Sequence, residues 1–168
     1  EEPSLRRYLL LTCEQTALLP ATILSRCAVH EIKVNSEYTK KWLASLNIAN
    51  YSWLELFARQ PLLVQQWQND NQLEAVDSLY KFATEIKDSH NFSALVDILN
   101  KDHSLVNVFV LFLTEHLKTQ LMLGMDFFNY QKAQTAISEF LYNNSHVLGL
   151  NMELAISQLA FTLRESQN

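Results

Sequence analysis

Two rhythms of apolar residues divide the chain. Up to Ile32 the apolar positions fall in short unbroken runs, YLLLT at 8–12 and AVHEI at 28–32, each of which reads as a strand. Between them, LLPATILSRC at 18–27 predicts a short amphipathic turn. Pro20 suits a first helical position, Leu19, Ile23 and Leu24 recur at helical spacing, and Ser25-Arg26-Cys27 closes the turn. Beyond Ile32 the period becomes helical. Ser36 followed by Glu37 opens a helix through about residue 46 that turns Trp42, Leu43 and Leu46 inward, and Ser52 with Glu55 forms a capping-box pattern for the next. A third helix follows Pro61 through Leu62, Leu63, Val64 and Trp67 and stops at the polar run QNDNQ.

From Leu73 onward five helices are expected, with no proline after Pro61 and with Gly124 and Gly149 falling where helices should end. Leu73, Val76, Leu79, Tyr80 and Ala83 line the first, and Phe92, Leu95, Val96 and Leu99 the second, which stops near 100–102. The third carries the stripe Val106, Phe109, Val110, Leu113, Leu117 and Leu121. Leu111, Phe112 and Met122 widen it, which implies either the centre of a bundle or a face shared with another subunit. The fourth spans about 130–142 through Ala133, Ile137 and Leu141. The fifth opens on an Asn151 cap and runs through Met152, Ile156, Leu159, Ala160 and Leu163.

Composition narrows the function classes. The chain has 168 residues, of which 48% are hydrophobic, enough to bury a core in one compact unit or two small helical ones. A formal net charge of −5 argues against a surface that binds nucleic acid through its overall charge. Cys13 and Cys27 lack metal-ligand spacing, and His30, His90, His103, His116 and His146 do not cluster with them, so reduced thiols and no metal are expected. His116 follows Glu115, but neighbours one position apart on a helix diverge, so no catalytic dyad is formed. No signal peptide is visible, and the most apolar stretch, 106–113, is too short to span a bilayer; the expected compartment is the cytoplasm. With two glycines and no GxxxxGK[ST] motif, the chain holds no phosphate cradle and is not expected to hydrolyse ATP by itself.

Arg26 is the residue on which chemistry converges. Phosphoryl transfer spreads negative charge over the γ-phosphate oxygens, and a planar five-donor cation that stays protonated meets several of them at once. The ordinary alternative is an arginine that caps helix carbonyls or faces solvent. The order EEP, YLLLT, LLPATILSRC and AVHEI, together with GLNMEL at 149–154 opening the last helix, resembles the delta-prime subunits of bacterial DNA polymerase III sliding-clamp loaders. The resemblance covers the whole chain, but only the two end motifs are specific. It implies a mainly α fold: the end of an AAA+ α/β domain at 1–34, a three-helix lid at 35–70 and a five-helix collar at 71–168 that serves oligomerisation. The start at EEP and the unpaired strands lead us to expect a carboxy-terminal fragment.

The resemblance further implies a non-hydrolysing stator in a five-subunit ring with gamma or tau and delta, acting indirectly on the sliding clamp and primer-template DNA and touching no membrane. Arg26 would be a trans arginine finger on ATP-Mg held by a neighbour, with Ser25 and Cys27 setting its backbone direction and Thr12 near the sensor-one position. No cofactor is implied in the chain itself, and any enzyme class would be that of the nucleotidyltransferase holoenzyme. In ARQPLLVQQW, Leu62 takes the place of the arginine that senses nucleotide in the ATPase subunits, and Arg59 falls three residues early as a solvated or capping side chain. Two alternatives stay open: a fragment of an ATP-hydrolysing gamma/tau-type subunit, and a free-standing helical adaptor whose SRC is accidental.

Overall fold

The computed structural model describes residues 8–13, 15–48, 51–86 and 91–166. The chain is mainly helical and divides into two units, 1–35 and 36–168. The EEP run at 1–3 and His90 lie outside the described residues.

In the first unit a 3-10 turn, Thr16–Leu18, precedes a single-turn helix α1, Ala21–Leu24. The two strands expected at 8–12 and 28–32 are not formed: both runs are exposed coil, and among the described residues there is no strand. The reason is pairing. A strand leaves half its backbone groups to a neighbouring strand, and no second strand is present among these residues to receive them. Leu10 is 93% exposed as a result.

The second unit contains α2 (Ser36–Ser45), a 3-10 helix (Ser52–Phe57), α3 (Pro61–Asn69), α4 (Leu73–Glu85), α5 (Ser93–Lys101), α6 (Leu105–Met122), α7 (Phe127–His146) and α8 (Met152–Glu165). Their ends follow from local chemistry. Pro61 occupies the first turn of α3, and the α3–α4 link is turned by Asn71, whose φ of 56° is left-handed, a conformation asparagine tolerates better than most residues. Asn47 does the same beyond α2 with a φ of 60°. After α6 the chain reverses at Gly124, whose φ of 107° would strain any side chain. The expected cap of α8 is present, with Asn151 Oδ1 accepting from the Leu154 amide at 3.1 Å.

Two local expectations are corrected. α7 begins at Phe127, three residues before the expected start, because Asp126 caps it by accepting from the Phe128 and Asn129 amides at 2.9 and 3.2 Å. The second lid segment is a 3-10 helix, and Ser52 makes no cap hydrogen bond there. Glu55, the other half of the expected capping box, instead accepts from Lys40 of α2 at 2.6 Å.

The core of the second unit is continuous from Leu43 to Leu163. α6 lies at its centre, packed on α4, α5 and α7. Part of the breadth of its apolar stripe is used within the unit: Val106, Phe109, Leu113, Leu117 and Phe112 are buried, while Val110, Leu111 and Leu121 are half-buried. Met122, at the end of the helix, is 87% exposed. Around Phe112 gathers an aromatic nest. Trp53, Phe57 and Trp67 meet in edge-on pairs with ring centroids 4.9–5.9 Å apart, and Tyr80 meets Phe112 at 5.3 Å. Trp53 is wholly buried, and its indole Nε1 donates to Asp77 of α4 at 3.2 Å. That bond joins the 3-10 helix to α4, as Gln72 Nε2 donating to Asp102 at 2.8 Å joins the start of α4 to the end of α5.

Candidate functional site

The turn that carries Arg26 is closed by its own backbone. The amides of Ile23 and Leu24 donate to the Pro20 carbonyl at 2.9 and 3.2 Å, and the Ser25 amide donates to Ala21 at 2.9 Å. Arg26 and Cys27 continue the winding, their amides donating to Ile23 and Leu24 at 3.1 and 3.4 Å. Ser25 Oγ donates to the Thr22 carbonyl at 3.3 Å. The consequence is a backbone whose direction at Arg26 is set by contacts within seven residues, 20–26.

The guanidinium itself is uncommitted. Arg26 is exposed, and among the described residues it forms no ion pair or side-chain hydrogen bond. Of the two ordinary alternatives, the carbonyl-capping arginine is not adopted among the described residues, and the solvent-facing one is. Cys27 and Cys13 are free and exposed thiols. Thr12 is exposed as well, and among the described residues no hydrogen bond joins it to Ser25, Arg26 or Cys27. Of the four residues singled out in this unit, three are brought together by the turn and Thr12 is not.

In the second unit Leu62 stands in the first turn of α3 and is 70% exposed, while Arg59 is exposed just before that helix. Glu115 is held by Lys118 one turn along α6. His103 is exposed before α6, and His146 ends α7, stacked on Tyr142 at 4.2 Å with Nδ1 2.9 Å from the Tyr142 carbonyl. Among the described residues no group of three or more His, Cys, Asp or Glu side chains is placed to hold a metal ion. None of their helices is long and apolar enough to cross a membrane.

The displaced titrations lie in the helical unit. The hydrogen bond and charge of Lys40 hold the exposed Glu55 carboxyl below its ordinary value, and Asp77 raises Lys81 in the same two ways. Asp102 is lowered chiefly by the Ser104 side chain; burial opposes this as the next effect, and the Ser104 amide at 2.9 Å, Gln72 and His103 lower it further. These are structural pairs.

Sequence reading missed the Trp53–Asp77 tie and the recess between α7 and α8 described below. A buried indole requires an acceptor, so a carboxylate near Trp53 was foreseeable in kind, although its position on α4 was not. No family model matches the chain, and no curated protein or solved structure matches it either.

Proposed function

We propose that this chain is a non-hydrolysing, delta-prime-like subunit of a bacterial sliding-clamp loader, lending Arg26 in trans to the ATP site of a neighbouring gamma or tau subunit. The observation that carries the reading is the state of Arg26: an exposed side chain without a partner among the described residues, on a turn that its own amides close. A finger must reach a phosphate on another molecule, so its charge must not be neutralised at home and its backbone must be set before the partner arrives. Ser25 and Cys27 supply the backbone on either side. In this reading 1–34 is the end of an AAA+ domain, 35–70 its lid and 71–168 the collar that enters a ring with gamma or tau and delta. The chain binds no nucleotide of its own, in keeping with an exposed leucine, Leu62, where an ATPase subunit would place its sensing arginine.

The test is Arg26→Ala in the assembled clamp loader. Ring assembly should be retained while clamp- and DNA-stimulated ATP hydrolysis at the neighbouring site falls by on the order of a thousandfold, the scale known for trans fingers. Normal clamp loading by that variant overturns the assignment.

A helical adaptor is the second reading, favoured by the continuous core of 36–168, which is built from residues of that unit. Size-exclusion chromatography with gamma and delta separates the two, because an adaptor of that kind elutes alone.

A further inference from the structure

α7 and α8 are joined by the short link 147–151 and pack side by side, with a recess between them. Ala136 and Ala155 form the walls of a recess of about 130 Å³ whose floor is the buried pair Phe140 and Leu159. A cavity of roughly 150 Å³ takes up a benzene molecule, so the recess suits one aliphatic side chain. Leu154 stands beside it, 66% exposed.

The rim adds a sign to the shape. Glu139 is the one charged side chain lining the recess, and among the described residues it has no cationic partner. It also borders the wider hollow alongside, where Lys132 is already held by Glu165 at 3.1 Å. A recess with apolar residues Ala136, Phe140, Ala155 and Leu159, a polar rim that includes Asn143 and Gln158, and a carboxylate without a cationic partner among the described residues is complementary to a helix with an aliphatic stripe and a cation beside it.

We propose that the α7–α8 groove receives an amphipathic helix of a partner chain, with a leucine-like side chain in the recess and a lysine or arginine one turn away against Glu139. The proposal does not depend on the role of Arg26.

The probe is a synthetic helix of roughly eighteen residues with leucine at i, i+3, i+4 and i+7 and lysine elsewhere, together with its glutamate counterpart. Titrated into the ¹⁵N-labelled chain, the lysine peptide should shift amides at Ala136, Glu139, Asn143 and Ala155 and bind at least about tenfold more tightly than the glutamate peptide. Glu139→Lys should remove that preference, while Glu74→Lys on α4, an equal change in net charge, should leave it. Ala136→Leu should fill the recess and weaken the lysine peptide about tenfold. Circular dichroism checks that this variant folds, and the exposed Glu139→Lys decides the matter if it does not. Equal effects of Glu139→Lys and Glu74→Lys would overturn the proposal in favour of attraction by overall charge. So would shifts centred on the exposed Leu123, Phe127 and Phe128 at the α6–α7 turn.

Discussion

Residues 8–35 and the helical unit 36–168 are built from similarly apolar sequence and meet opposite fates. In the first, Tyr8, Leu9, Leu10, Leu11 and Ile32 face solvent; in the second, Val76, Leu79, Phe109 and Ile156 are fully buried. The difference is one of period more than of hydrophobicity. A helix satisfies its own backbone and needs company only for one stripe, so several amphipathic helices close a core among themselves. A run such as YLLLT, apolar on both faces, needs paired strands at its sides and layers above and below. The helical unit is thus self-sufficient where the first is dependent, and the single-turn α1 stands out in that unit as a segment that closes its own hydrogen bonds.

The sharpest way to break the comparison is Trp53→Ala. It removes the centre of the aromatic nest and leaves Asp77 without the indole donor, so urea unfolding should show a loss of about 3–5 kcal/mol. A loss below about 1 kcal/mol would mean that the nest is not the keystone of the core. Removing the α7 cap by Asp126→Ala should cost about 1 kcal/mol in the same assay, since two first-turn amides lose their acceptor.

The acid limb of stability sharpens the comparison further. Asp102 is held below the ordinary aspartate value in the folded chain, so the stability it contributes is fully present above its unfolded value and is lost as pH falls through the lower folded one. Asp102→Asn should therefore flatten the decline of stability below about pH 4, leaving the neutral-pH slope unchanged. A parallel shift of the whole curve would assign Asp102 a role independent of its charge. The smallest effect is expected in the first unit. Leu10→Ser should alter the unfolding free energy by less than about 0.5 kcal/mol, because its side chain leaves water for nothing. A larger destabilisation would show that YLLLT is covered in solution and erase the contrast.

The helical period announced α2 through α8 in order, and the buried stripe of α8 is the one that spacing marks out. By contrast, Leu73 and Tyr80 of α4 and Val110 and Leu121 of α6 are only half-buried, and Leu105, outside the expected stripe, is buried. Where reading and structure part, the cause is local or tertiary. Asp126 is a plain cap signal that extends α7 by a turn, and a reading anchored on apolar spacing alone starts the helix late. Ser52 and Glu55 match a capping box, yet Glu55 pairs instead with Lys40, fifteen residues away. At the candidate site the sequence marks the turn and names Arg26. That it has no partner among the described residues could not be read from those few positions.

By itself, then, the sequence determined the periodic elements, their stops at Gly124 and Asn71, and the position of one arginine after a self-closing turn, because propensities, caps and turns act over a few residues. Only the tertiary structure decided that α6 is central, that Trp53 meets Asp77, that the runs at 8–12 and 28–32 lie open and that Ala136 and Ala155 leave a recess beside Glu139. Those outcomes depend on which surfaces meet across long stretches of chain, and such meetings are set by the packing of all the helices together.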